Sequence, residues 1–294
     1  MAVMEHPLVV GTDGSDSAVR SLDWAVDEAA RHGLPLRIVH ASSWEHYEGA
    51  SLAEGAERPG EQVLEEAVVA SAAAHARRRN AEVTITAEVL PGDAVTTLLN
   101  EGLHASALVL GSRGRGEIAG LLLGSVGLTV AARAKCPVIV VRGDAAGLAG
   151  THGRILLGVD DPATAATAAR FAFREAEARQ CLLMAVCAWP LPAHGTDEAP
   201  PPAAGSRNVR EERAAEVLDE ALAQAAGEHP AVRVRRATVE GAAHKVLVHR
   251  AAAADLLVVG VQRRHGHFGL QPGRVAHHAL CHAACPVAVV PRHL

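Results

Sequence analysis

The residues richest in chemical possibility lie before the middle of the chain. Gly111-Ser112-Arg113-Gly114 is followed, after nine residues, by Gly124-Ser125-Val126. The stretch follows an apolar run that reads as a strand and ends where a helix should begin. Glycine there admits positive φ and lets backbone approach a ligand closely. A helix start offers unsatisfied N–H groups and the positive end of the helix dipole, which suits phosphate. Ser125 adds a hydroxyl, and Arg113 and Arg115 add positive charge. The chemistry expected is anion binding; a flexible loop with no ligand is the alternative. From Gly111 the glycines have the spacing of a Walker loop, but Glu117 stands where lysine is needed, which excludes that motif. Gly114-x-Gly116-x-x-Ala119 matches a loose dinucleotide fingerprint, yet no helix opens there.

A second cluster lies near the end. His277, His278, Cys281, His282 and Cys285 fall on an expected helix. His278, Cys281, His282 and Cys285 are spaced i, i+3, i+4, i+7 and so share a face. By residue type they are ligands for zinc or copper. The equivalent face of the first half (Thr129, Ala132, Arg133, Cys136) holds no such set. A packed or solvated helix face is therefore expected, and no metal ligand is assigned. His265-Gly266-His267 is similar to the HxGH signature of nucleotidylyl transferases, but Arg264 stands where the first histidine belongs. No G-x-S-x-G elbow is present, and no acid–base pair can be placed. No catalytic residue is assigned, and the chain is not expected to be an enzyme. Arg77-Arg78-Arg79 reads as the solvated end of a helix.

The elements that must position these residues are written twice. Gly111, Gly124 and Cys136-Pro137 recur as Gly260, Gly273 and Cys285-Pro286, each at an offset of 149. Pro7–Asp13 recurs as Arg154–Asp160 at an offset of 147, a slip that one small loop indel explains. Two domains are expected, 1–145 and 152–294, joined through the Gly- and Ala-rich Gly143–Gly153. In each half short apolar runs alternate with helical periodicity. In the first half strands are expected at 8–11, 36–41, 83–90, 107–110 and 138–141. Helices are expected from Ser15 or Asp16 to about Arg31, and over 61–79, 93–103 and 124–134, with a polar loop over 42–59. The fold class is α/β: two tandem doubly wound domains, each a five-stranded parallel-type sheet with about four helices. Ligands in such sheets sit beyond the carboxyl ends of the strands, near the switch in strand order. Asp13, Val39 and Gly111 fall at such ends and should share one crevice.

Composition narrows the classes. The chain has 294 residues, 49% hydrophobic and 21% charged, enough for a large core. Aromatics are only 2% and the net charge is -5, which argues against nucleic-acid binding. Residues 1–149 carry 12 Lys+Arg against 19 Asp+Glu, and the remainder 16 against 14. No apolar run reaches the ~20 residues of a membrane span, and the N-terminus lacks the pattern of a signal peptide. A cytoplasmic location with five reduced cysteines is expected.

Gly111, Gly114, Gly124 and Ser125 spell G-x2-G-x9-G-S, the pattern of the universal stress protein family. "VVGTDGS" at the first strand, "RIVHA" at the second and "KCPVIVVR" at the end support the resemblance, which covers nearly the whole chain. It implies ATP binding, an adenine nucleotide alpha hydrolase-like fold and dimerisation through the last strand. Carried onto matching positions, Thr12, Asp13 and Val39 would line the adenine and ribose end, Val39 through its backbone. Gly111, Ser112, Arg113, Gly114, Gly124, Ser125 and Val126 would hold the ribose and phosphates. A divalent ion, Mg2+ or Mn2+, where present, is held largely by the phosphates. A cap on the following helix is the alternative role for Asp13. The implied partners are an adenine nucleotide in the first domain, the two domains pairing through Val138–Val141 and Val287–Val290, a homodimer, and an unidentified protein. The implied role is a nucleotide-dependent regulatory or sensor module; a scaffold without nucleotide, or a slow ATPase, are the alternatives.

The second half departs from the pattern. Gly114 becomes Arg263, Ser125 becomes Arg274, and Gly14-Ser15 becomes Asp161-Pro162, while Asp160 and Gly273 remain. It is expected to bind ATP weakly or not at all.

Overall fold

The structure, a computed structural model, describes residues 6–42, 59–114, 123–189, 204–261, 264–266, 269–271 and 273–292. The chain divides into two compact units: residues 1–142 with 265–271, and residues 143–264 with 272–294.

In the first unit β1 (Leu8–Gly11), β2 (Leu36–Ser42), β3 (Ile85–Pro91), β4 (Ala107–Gly111) and β5 (Val138–Val141) form a parallel sheet in the order β3-β2-β1-β4-β5. The central runs Leu8–Val10 and Ala107–Leu110 are buried throughout, as strands covered on both faces must be. α1 (Asp16–His32) starts at Ser15, whose Oγ accepts from the Ala18 N–H at 3.2 Å. It ends at Gly33, which takes the left-handed φ of 66° that glycine adopts without strain. The stripe Ala18, Leu22, Ala25, Val26 and Ala29 is buried. α2 (Pro59–Arg79), α3 (Ala94–Glu101) and α4 (Ser125–Arg133) complete the unit. Residues 43–58, most of the expected polar loop, lie outside the described residues.

The chain runs from β1 outward to β2 and β3, then returns to place β4 on the other side of β1. The switch in strand order therefore falls between β1 and β4. Thr12-Asp13 and Ser112-Arg113 leave the sheet side by side at that point.

The second unit opens with α5 (Ala145–Ala149), within what reads in the sequence as a plain Gly/Ala joint. Asp144 caps this short helix, its Oδ1 accepting from the Gly147 N–H at 2.8 Å. Gly143 has φ 111°, and a Cβ there would meet the Ala284 carbonyl. The joint is thus a packed piece of its unit. β6 (Arg154–Val159), α6 (Pro162–Ala178), β7 (Leu182–Trp189), α7 (Ala204–Glu228), β8 (Val234–Glu240), α8 (Ala243–Ala251) and β9 (Leu256–Val261) follow. β10 (Arg264–Gly266) and β11 (Gly269–Gln271) pair with each other, an addition the first half did not suggest; residues 265–271 group with the first unit. α9 (Arg274–His282) and β12 (Val287–Pro291) close the chain. The sheet is parallel in the order β12-β9-β6-β7-β8, the order of the first unit strand for strand. No helix among the described residues is long and apolar enough to cross a membrane.

Candidate functional site

At the switch point of the first unit lies a crevice of about 570 Å3, within the usual size of a small-molecule site. Thr12 and Asp13 after β1 border it, as do Val39 on β2 and Gly111, Arg113 and Gly114 after β4. Gly124, Ser125 and Val126 at the start of α4 close the far end. Of the ten residues expected to hold a ligand, nine line this space. Ser112 does not; its carbonyl accepts from the Gly124 N–H at 2.9 Å and so pins together the two ends of the glycine loop. Residues 115–122 of that loop, Arg115 and Glu117 included, lie outside the described residues.

Each turn at the crevice has a local cause. Asp13 Oδ1 accepts from the Ser15 N–H at 3.0 Å, and Gly14 takes φ 78°. Asp13 therefore makes a turn before α1, while Ser15 is the residue that caps the helix. Gly114 lies against Asp13: a Cβ there would stand 2.7 Å from Asp13 Oδ2. The bare backbone at 114 leaves room for the carboxylate itself.

Gly111 has another reason. A Cβ there would meet Ser17 of α1, 2.7 Å from its Oγ and 2.9 Å from its carbonyl oxygen. The Ser17 hydroxyl also accepts from the Arg113 N–H at 3.2 Å. The glycine at 111 lets α1 pack against the end of β4. Gly111 thus has a packing role in addition to its place on the crevice wall.

The start of α4 is open. Its N-cap is Gly124, which has no side chain to satisfy the first turn. The Leu128 N–H returns to the Gly124 carbonyl. The N–H groups of Ser125, Val126 and Gly127 thus face the crevice with no partner among the described residues. Such a terminus favours negative charge. The opposite wall is apolar. Val39 and Leu110 are buried, and Ala41 with Ala94 and Leu98 of α3 extend the surface. The sequence shows α3 and β2 but not their place as walls of the crevice, because their apolar residues look like ordinary core until topology sets them beside β1. His40 also lines the space; its Nδ1–H donates to the Thr12 carbonyl at 2.7 Å and holds β2 against the β1 turn.

The second unit keeps the packing and loses the polar geometry. Gly260 repeats Gly111: its Cβ would stand 2.8 Å from the Thr164 carbonyl on α6. Gly158 meets Leu247 as Gly11 meets Leu98. Pro162 occupies the place of Ser15, however, and proline has no N–H to orient Asp160 as Asp13 is oriented. The cap moves one residue back to Asp161, which accepts from Thr164 N and Oγ1 at 3.1 and 2.8 Å. Arg274 is the exposed first residue of α9; Arg263 lies outside the described residues.

The His/Cys face is corrected by the structure. α9 ends at His282, so Cys285 is not on the helix, and it is fully buried before β12. His278 and His282 do share a face, with ring centroids 4.4 Å apart.

A family model described as the universal stress protein family matches residues 4–142 and 151–291. A universal stress protein of Mycobacterium tuberculosis is 33% identical, with 97% of this chain and 97% of the relative covered. A second from that organism is 30% identical, covering 96% and 94%. A solved universal stress protein from Archaeoglobus fulgidus has a TM-score of 0.67 at 17% identity, over 97% of this chain and 98% of its own. At that identity it speaks for the fold.

Proposed function

This chain belongs to the universal stress protein family, and we propose that its first half is a cytoplasmic regulatory module that holds one ATP. The crevice at the β1/β4 switch carries the reading. It joins an apolar slot suited to a purine with three open helix-start N–H groups suited to phosphate. Asp13, held by Ser15 N–H and given room by Gly114, stands where a ribose hydroxyl would be met. Arg113 adds charge at the phosphate end. Any Mg2+ or Mn2+ would be carried mainly by the phosphates. The five free cysteines support a reducing compartment. In the second half, Pro162 and Arg274 argue against the same ligand.

The test is to denature purified protein and quantify released nucleotide, then titrate ATP into emptied protein by calorimetry beside Gly114→Arg. One ATP per chain, lost in the variant, is expected. Two per chain would overturn the silent second half, and none would overturn the nucleotide reading. Phosphate release above a protein-free control, abolished by Asp13→Ala, would replace the binding module with a slow ATPase.

A further inference from the structure

We propose that His244, His278 and His282 form a binding site for one divalent transition-metal ion of the zinc class, on the α8–α9 face of the second unit. His278 and His282 stand one turn apart on α9, and the sequence shows that pair. The third ring comes from α8: His244 meets His278 edge-on, with ring centroids 4.8 Å apart. Two imidazoles on one tetrahedral ion have centroids about 5 Å apart, given a metal–nitrogen bond of about 2.0–2.1 Å. The observed spacings of 4.4 and 4.8 Å are close to this. As they stand, the three rings do not bring their nitrogens within 4.8 Å of one another; binding an ion would draw the outer rings in by rotation about their own side-chain bonds.

Three other described histidines are partnered. His40 is bonded to Thr12 O, His75 to Asp23 and His229 to Glu177. No hydrogen bond or ion pair to a described residue is found for His244, His278 or His282. His278 touches both other rings, so three imidazole donors are gathered around one ring. His278 and His244 are half-buried and His282 is exposed, so an ion has access.

The donor set selects the ion. α8 and α9 contain no Asp or Glu, so Ca2+ and Mg2+ find no oxygen cage. Imidazole suits zinc, copper and nickel. Arg274, Lys245 and His277 also face the cluster. Their positive charge opposes a bare cation and favours an anion in the fourth coordination position. The first half has Val95, Thr129 and Arg133 at the matching positions, so the site belongs to the second half. It does not depend on the nucleotide reading.

The test uses tag-free full-length protein stripped of metal and titrated with Zn2+ by calorimetry. One Zn2+ per chain is expected. Loss of a mere supporting partner weakens metal sites 10–100-fold, so removal of a ligand should weaken binding at least roughly tenfold. His244→Ala, His278→Ala and His282→Ala should each do so, while His277→Ala, which removes no ligand, should not weaken binding. Copper loaded at one equivalent should give an electron paramagnetic resonance spectrum with three coordinated imidazoles. That reading needs no variant and stands if one of them misfolds. No saturable Zn2+, binding that survives His278→Ala or His244→Ala, or two imidazoles or fewer on copper would overturn the site.

Discussion

Gly111 and Gly114 are three residues apart and look interchangeable in a motif, yet their missing side chains face different things. A Cβ at 111 meets the backbone and hydroxyl of Ser17, and a helix packed on a sheet has nowhere to go. Gly111→Ala should therefore lower unfolding stability by about 1–3 kcal/mol, the range for overpacking. Gly260→Ala should cost about as much, since Thr164 stands in its way. A Cβ at 114 meets only the end of the Asp13 side chain, which can turn aside. Gly114→Ala should leave stability within about 1 kcal/mol, as surface changes usually do, and weaken ATP. Denaturant titration of the three variants beside ATP calorimetry separates the roles. A stable Gly111→Ala, or a Gly114→Ala that binds ATP as the parent does, would contradict this division.

At the scale of elements, the helix starts at the two switch points are built differently. Ser15 begins α1, which leaves Asp13 free of capping duty. Asp161 begins α6, and its carboxyl is held below the usual range by the Thr164 hydroxyl first, then by backbone N–H groups. Its contribution is present above the unfolded carboxylate range near pH 4 and is lost as pH falls through the lower folded value. Acid unfolding followed by circular dichroism should show Asp161→Asn losing less stability than the parent between about pH 5 and pH 2, since asparagine caps well and does not titrate. An unchanged acid profile would count against the cap. α3 also begins at an Asp, Asp93, whose carboxyl is lowered by Thr96. The predicted limits of most elements lie within two residues of the observed ones, because apolar runs and caps are local signals. α5 and the β10–β11 pair escaped notice, because five-residue helices and three-residue strands are too short to show periodicity.

At the scale of the whole molecule, one domain has been written twice and then allowed to diverge. All the described residues that line the crevice fall between Gly11 and Gly127. A fragment of residues 1–145 should therefore bind ATP within roughly threefold of the full chain, while 152–294 should not bind it. Residues 265–271 group with the first unit. Loss of ATP binding in the short fragment would assign them, or the second half generally, a part in the site. Charge follows the same split. The first half carries the acid excess, and the α8–α9 face carries histidine, arginine and lysine without acids.

The repeat, the strand–helix alternation, the doubly wound sheet and nine of the residues that line the crevice were legible in the amino-acid order, because periodicity, glycine spacing, strand ends and the family resemblance are written along the chain. Three things waited for tertiary structure: why Gly111 is glycine, that α3 and the end of β2 wall the crevice, and that His244 joins His278 and His282. Gly111 and Ser17 lie 94 positions apart, and His244 and His278 34, each pair on two different elements. What brings them together is the packing of helices on a sheet, which no local pattern records.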